Sequence, residues 1–237
     1  MTVRLAIDST SDRLSIAADR NRGTPESAAL QGARRHAGAL LPMIDDVLGR
    51  LGATARDVSV VAVADGPGSF TGIRVSFAAA KALAAEGAMM VTAPSLMVRA
   101  AHSLLVSSSH RPGSPLRVLA ISSALRGEVY AGIWSVETDR IETVMAPRTI
   151  SARDIAALPA FDDAVGDGPE DFLAAVRARR EWPEAATLLQ LIDVPGGARV
   201  IAAPLDFEPH YGRPAEAAAK WEREHGRPLP DPTGHGG

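Results

Sequence analysis

One stretch of the sequence constrains the fold more than any other, an apolar run of strand length that ends in a glycine-rich loop. Residues 58–64 (VSVVAVA) carry no charge, so we expect a central strand buried on both faces. The loop 66–72 (GPGSFTG) follows, and residues 73–86 have a helical composition that ends at Gly87. A buried strand, a glycine-rich turn and a helix in this order predict an α/β protein.

The flanking sequence extends this pattern into two lobes. Apolar runs at Val3–Ile7 and Leu14–Ala18 predict an N-terminal hairpin, and helical spacing of apolar residues predicts an amphipathic helix at 40–51. A stretch rich in Ser, Pro and Gly follows residue 106, and a new series of strands begins at residue 117. We therefore expect an N-terminal lobe at 1–106, a linker at 107–116, a C-terminal lobe at 117–225 and a disordered tail at 226–237.

Composition narrows the class of protein. Of the 237 residues, 46% are hydrophobic and 22% are charged, which is enough apolar material for a packed core. The net charge of −3 differs from the basic character of a chain that holds a nucleic-acid backbone by itself. There is no cysteine, which excludes disulfides and a thiol nucleophile, and no apolar run of membrane-spanning length. We expect a cytoplasmic protein.

Two loops are candidate phosphate-binding or nucleotide-binding elements. Glycines between a strand and a helix let backbone N–H groups face an anion. An Asp in a hairpin turn is how actin-like and sugar-kinase-like folds approach a nucleotide phosphate and its magnesium. Each loop also has a structural alternative, namely a tight turn capped by Ser or Thr with glycine for close packing, and a turn Asp bonded to its own backbone. The candidate residues are Asp8, Ser9, Thr10, Gly66, Gly68, Ser69, Thr71 and Gly72.

The sequence offers no complete catalytic motif. The glycine loop lacks the Gly-Lys-Ser/Thr ending of a P-loop, because Ile73 and Arg74 stand there. The six histidines form no His-Glu-x-x-His pattern, and Ser69 is not in a Gly-x-Ser-x-Gly elbow. We predict neither catalytic residues nor metal ligands.

The segment 72–85 is apolar nearly all round, with Arg74 and Lys81 as its only charges. A helix lying on a sheet needs one apolar face, so the second face is either covered by another part of this chain or is a contact surface. The many alanines would allow another helix to approach closely.

Several motifs together resemble the TsaB (YeaZ) family of tRNA threonylcarbamoyladenosine biosynthesis proteins. The run Gly66–Arg74 and the segment Ala6–Thr10 carry most of the resemblance. It is supported by His36 followed by Leu40-Leu41-Pro42, by Gly127–Tyr130 and by Glu208–Pro214. In order and spacing these segments extend over residues 3–216.

The resemblance implies a two-lobed ASKHA (actin-like, ribonuclease-H-like) fold with mixed sheets flanked by helices. It also implies a non-catalytic subunit that dimerises with and activates a catalytic TsaD-type subunit, together with a TsaE-type ATPase. That complex transfers a threonylcarbamoyl group to a tRNA adenosine next to the anticodon. The chain is expected to hold no cofactor of its own, and ATP or ADP at the complex interface is a candidate ligand. Whether the isolated chain forms a homodimer is left open.

The resemblance also assigns roles to residues. The catalytic relative carries a His-x-x-x-His metal pair, whereas His36 here is followed four residues later by Leu40. Family members dimerise through the first two long helices, which correspond to about 38–51 and 70–86. The implied contact residues are Met43, Val47, Ile73, Phe77 and Lys81. Ser123 and Leu125 stand where the family has an Asp and an Arg.

Two alternative functions remain open at this stage. An independent ASKHA-type kinase or ATPase would need a phosphate-loop Asp in the second lobe and a general base, and Ser123 argues against the first. A metallopeptidase-like protein would need a second metal-binding His, which Leu40 replaces. ATP turnover would favour the first alternative, and stoichiometric zinc or iron the second.

Overall fold

The computed structural model describes residues 2–32, 35–106, 114–124 and 127–211, with residues 105 and 106 as backbone only. Eleven strands lie in this part of the chain. They are β1 (Val3–Asp8), β2 (Arg13–Arg20), β3 (Glu26–Gln31), β4 (Val58–Ala64), β5 (Met89–Ala93), β6 (Leu116–Ser123), β7 (Val129–Val136), β8 (Ile141–Ile150), β9 (Asp163–Gly166), β10 (Arg179–Arg180) and β11 (Arg199–Val200).

Two mixed sheets divide these strands between two lobes. The N-terminal sheet has the order β11-β5-β4-β1-β2-β3, and the C-terminal sheet has the order β10-β9-β6-β7-β8. The described helices are α1 (His36–Arg50), α2 (Phe70–Ala85), α3 (Ser95–Val106), α4 (Glu170–Val176) and α5 (Ala185–Leu191). The predicted architecture of mixed sheets flanked by helices is confirmed.

The apolar runs of the N-terminal lobe form its central strands. β1 is buried along its whole length because it lies between β2, to which it is antiparallel, and β4, to which it is parallel. β4 continues through the glycine-rich loop into α2, as the sequence predicts. Helices α1 and α2 contact each other and pack against this sheet, and their buried faces share one core with β1 and β4.

Helix α3 joins the two lobes. It contacts β6 and β7 of the C-terminal sheet as well as α5. Its apolar residues Leu96, Val98 and Ala100 are fully buried in a cluster that contains residues of both sheets. The two lobes therefore share a core and are packed together through α3.

After residue 184 the chain returns to the N-terminal lobe. Helix α5 packs on β1, β2 and β4, and β11 adds an antiparallel strand to the edge of β5. Phe207 then stacks on Phe77 of α2, with ring centroids 5.7 Å apart. The predicted C-terminal lobe at 117–225 is corrected accordingly, because residues 185–211 pack with the other lobe. Residues 107–113 of the predicted linker and the tail at 226–237 lie outside the described residues.

The arginine-rich segment after α4 also differs from the sequence-based prediction. Acidic residues at the start and arginines at the end, as the helix dipole favours, predict one helix from Pro169 to Arg180. Instead α4 ends at Val176, because Arg177 adopts a left-handed conformation, and Arg179–Arg180 forms β10 beside β9. The guanidinium groups of Arg179 and Arg180 pair with carboxylates of this lobe. Within the ranges described, no helix has the length and apolarity needed to cross a membrane.

Candidate functional site at the junction of the lobes

The two loops predicted to bind phosphate lie against each other. The backbone N–H of Ser69 donates to the carbonyl of Thr10 (2.6 Å), and the Ser9 hydroxyl donates to the carbonyl of Gly72 (2.6 Å). A Cβ atom on Gly68 would lie 2.2 Å from the Thr10 carbonyl oxygen, and one on Gly72 would lie 1.9 Å from the Ser9 carbonyl oxygen. Close packing of the two loops thus requires glycine at both positions, whether or not an anion binds.

Close packing of a third segment, around His210, requires glycine at position 66. Its φ of +97° favours glycine, and a Cβ there would lie 2.1 Å from the carbonyl oxygen of His210. The backbone N–H of His210 donates to the Asp65 carbonyl (2.9 Å). The glycine loop, the hairpin turn and the start of the Glu208–Pro214 motif are therefore assembled at one place.

Ser69 caps helix α2. Its side-chain oxygen accepts a hydrogen bond from the backbone N–H of Gly72 (3.2 Å). Thr71 is exposed on the first turn. Ser69 and Thr71 are both possible caps by sequence, and in the structure Ser69 is the residue that caps the helix.

Asp8 lies beneath the hairpin turn and is fully buried. Its Oδ1 accepts hydrogen bonds from the Thr10 backbone N–H (2.9 Å) and hydroxyl (2.8 Å), as predicted for a turn Asp bonded to its own backbone. Its Oδ2 has no hydrogen-bond partner among the described residues. Burial raises the pKa of Asp8 to about 6, although the Thr10 hydrogen bonds act in the opposite direction.

A cavity of about 250 Å³ opens beside these loops, between the two lobes. Its lining includes hydroxyl groups and two carboxylates, among them Thr10, Asp12, Ser69, Ser122, Ser123 and Asp167. Among the described residues that line it there is no lysine or arginine. A phosphate entering this cavity would meet carboxylates, so it would need cations from elsewhere.

Sequence reasoning missed Asp167, which lines the cavity, and its ion-pair partner Arg99. Arg99, on α3, is only 2% exposed, and its guanidinium donates to the carbonyl of Ile121 (2.5 Å) and to the carboxylate of Asp167. The pair links the two lobes next to the cavity. The Gly166-Asp167-Gly168 turn after a strand could have indicated Asp167, but no local signal pairs it with an arginine 68 residues away.

His36 is buried in the N-terminal lobe. Its ring Nε2 lies 3.3 Å from the carbonyl oxygen of Asp12. Burial lowers the pKa of His36, which favours the neutral imidazole. Leu40 occupies the next turn of α1 and is buried in the core. The described ranges contain no group of three or more His, Asp or Glu side chains that could hold a metal ion.

The structure corrects three of the five predicted contact residues. Val47 and Ile73 are fully buried and Phe77 is 3% exposed, so these side chains stabilise the core of this lobe and cannot reach a partner in this conformation. Met43 and Lys81 are partly exposed. The Lys81 ammonium donates to the carbonyl of Leu205 (2.9 Å) and so lies on the returning C-terminal segment.

A different set of side chains forms the exposed face of the helix pair. On α2 the exposed residues recur every three or four positions, and they are Thr71, Arg74, Ala78, Ala82 and Ala85. On α1 the exposed residues include Leu41, Pro42, Asp45, Asp46 and Gly49. Small side chains dominate the α2 face, as expected where another helix can approach closely. Ser123 is exposed at the end of β6, whereas Leu125, Gly212, Arg213 and Pro214 lie outside the described residues.

The fold and the site together define a class of protein. The chain is a two-lobed α/β protein with two mixed sheets, and its hairpin turn and glycine loop meet beside an interlobe cavity. This arrangement is the ASKHA architecture. The family model described as "TsaD: tRNA N6-adenosine threonylcarbamoyltransferase" matches residues 24–184, and the chain belongs to this family.

Relatives and solved structures confirm the resemblance to TsaB (YeaZ) proteins. The chain is 33% identical to the Escherichia coli "tRNA threonylcarbamoyladenosine biosynthesis protein TsaB" over 63% of its own length and 64% of that protein. It is 28% identical to the Bacillus subtilis protein of the same name, over 93% of this chain and 98% of that one. The structure of "YeaZ from Pseudomonas aeruginosa" superposes with a TM-score of 0.69 at 25% identity, covering 81% of this chain and 91% of that chain.

Proposed function

We propose that this chain is a non-catalytic subunit of the machinery that forms threonylcarbamoyladenosine in tRNA. It acts in the cytoplasm by dimerising with a TsaD-type catalytic subunit and activating it, in an assembly that includes a TsaE-type ATPase. Transfer of the threonylcarbamoyl group takes place on the partner, and tRNA is reached through the complex. The matching family and the names of the relatives support this assignment.

The single observation that carries the proposal is the exposed face of α2. Ala78 and Ala82 lie one turn apart on this face, and the Val75 and Ala79 side chains beside them are half-buried. Such a face lets a partner helix approach until backbones are close, which gives extensive van der Waals contact. Leu41, which is 63% exposed on the neighbouring α1, adds a large apolar side chain.

The interlobe cavity favours a supporting role over independent phosphoryl transfer. Among the described residues, the carboxylates of Asp12 and Asp167 line it without a lysine or arginine. Ser123, which also lines it, stands where the resemblance implies a second-lobe Asp. ATP or ADP at the complex interface therefore remains part of the proposal only with cationic groups contributed by the partner or by magnesium.

Substitution of an exposed alanine tests the interface without disturbing the core. We expect Ala78→Glu to abolish co-elution with a TsaD-type partner on a sizing column and to abolish threonylcarbamoyl transfer to tRNA by the mixture. The physical reason is that a long charged side chain prevents close helix approach and becomes desolvated. Ala175→Glu, at an exposed position on α4, is the matched control and should retain both properties.

The same experiment separates the alternatives. If the partner transfers threonylcarbamoyl equally well without this chain, or if Ala78→Glu and Ala175→Glu behave alike, the proposed interface is wrong. ATP turnover by the chain alone would instead support a kinase or ATPase, and bound zinc or iron a metallopeptidase-like protein. A change in the elution of the isolated chain on Ala78→Glu would mean that a homodimer uses this face.

A further inference from the structure

A second cavity lies at the carboxyl ends of two parallel strands. Asp65 follows β4 and Pro94 follows β5, and both line a space of about 400 Å³. This volume lies within the range of small-molecule sites, and the carboxyl ends of parallel strands are where α/β sheets commonly bind ligands. The cavity shares no lining residue with the interlobe cavity described above.

One wall of the second cavity presents a guanidinium group in a fixed orientation. Arg199 Nη2 donates to Asp65 Oδ2 (3.1 Å), and Nε donates to the Thr92 hydroxyl (3.3 Å). The guanidinium also lies over the Phe207 ring, with Cζ 5.6 Å from its centroid. Three contacts therefore hold a side chain that is itself 65% exposed, and within the described ranges no hydrogen bond engages its Nη1.

The charge of Asp65 limits the negative charge of a ligand that can bind beside Arg199. Its carboxylate is buried and accepts a hydrogen bond from Arg199, which also donates to the Thr92 hydroxyl. Burial raises the pKa of Asp65, and these contacts oppose that effect. Because Asp65 balances one unit of charge beside Arg199, the site suits a singly charged carboxylate better than a dianionic phosphate. The imidazole of His210 also lines the cavity.

The remaining walls are apolar and rigid. Pro67, Pro94 and Pro147 line the cavity with Met97, and Pro147 comes from β8 of the C-terminal lobe. Proline rings present flat apolar surfaces and carry no N–H group that would need a partner. We propose that this cavity binds a small molecule in which one carboxylate, held by Arg199, is attached to a flat apolar group that lies against the prolines.

Hippurate, a carboxylate attached to a benzoyl amide, is a suitable probe, and hippuramide is its uncharged match. We expect titration calorimetry to detect hippurate binding to the purified chain, with hippuramide at least about tenfold weaker. Arg199→Lys keeps the charge but loses the planar fork, so it should weaken hippurate binding by about tenfold. Arg56→Met, at an exposed arginine on the turn Ala55–Asp57, is the control and should bind hippurate normally.

A second variant tests the apolar wall separately from the polar one. Pro147→Trp should fill the cavity from the C-terminal lobe and remove hippurate binding, while the Asp65–Arg199 contact and the circular dichroism spectrum are retained. The proposal is overturned if hippurate fails to bind at millimolar concentration, if hippuramide binds equally well, or if both variants bind hippurate like the unsubstituted chain. Co-elution with a TsaD-type partner should be unaffected in either variant, which separates this test from that of the proposed function.

Discussion

The buried carboxylate of Asp8 leads to a quantitative prediction about pH. Its pKa is raised from 3.8 to about 6 in the folded chain, with burial as the largest cause. Between these two values the folded chain binds more protons than the unfolded chain, so the free energy of unfolding falls as pH rises. A shift of about 2 units at 1.36 kcal/mol each corresponds to roughly 3 kcal/mol, lost mainly between pH 4 and pH 6.

Asp8→Asn isolates this contribution because the amide does not titrate. Its Oδ1 can still accept the two hydrogen bonds from Thr10, while its NH₂ replaces the oxygen that lacks a described partner. Burying this NH₂ group lowers the free energy of unfolding, but by an amount that does not depend on pH. Relative to the variant, the unsubstituted chain should therefore lose about 3 kcal/mol between pH 4 and pH 8.

Urea unfolding followed by far-ultraviolet circular dichroism at each pH gives the required difference. A difference between the two chains that is constant from pH 4 to pH 8 would refute the reasoning, because Asp8 would then have the same pKa folded and unfolded. A difference that changes in the opposite direction would mean that the folded chain stabilises the ionised carboxylate, for example through an internal cation.

Four further substitutions test packing and pairing. Gly72→Ala should destabilise the chain by at least about 3 kcal/mol, because the new Cβ meets a backbone carbonyl, whereas Gly49→Ala, with open space around it, should be neutral or stabilising by roughly 0.5–1 kcal/mol in urea unfolding. Arg99→Met should cost roughly 3 kcal/mol and increase hydrogen exchange at the lobe junction, since it leaves Asp167 without its cation. Phe207→Ala should cost about 2 kcal/mol through loss of the ring stack on α2, and an unchanged urea midpoint would contradict the packing of the C-terminal segment.

Elements set by local pattern could be predicted from the sequence. The hairpin of β1 and β2 and the unit of β4, glycine loop and α2 depend on apolar periodicity and on turn residues close in sequence. The Ser69 cap follows from the same local rules. Each of these features depends on residues that lie close together in the sequence, so the sequence pattern is enough to predict it.

The burial of α2 depended on a distant segment. The sequence indicates that Phe77 lies on an apolar stripe, but not that Phe207, 130 residues later, covers it. The segment 185–211 has short elements with little periodicity, and only its contacts with β1, β2 and β5 define it. Three of the contact residues implied by the resemblance, Val47, Ile73 and Phe77, therefore belong to the core of this lobe.

The shared core also limits what the interlobe cavity can do. A phosphoryl-transfer enzyme of this architecture would be expected to close its lobes around a nucleotide, which requires hinge or shear motion between them. Here α3 is buried against elements of both lobes, and Arg99 pairs with Asp167 beside the cavity. Opening the lobes would expose this core and leave a buried guanidinium without its partner, at a cost of several kcal/mol. The shared core and the Arg99–Asp167 pair therefore oppose separation of the two lobes, which argues against a cycle of lobe closure and release.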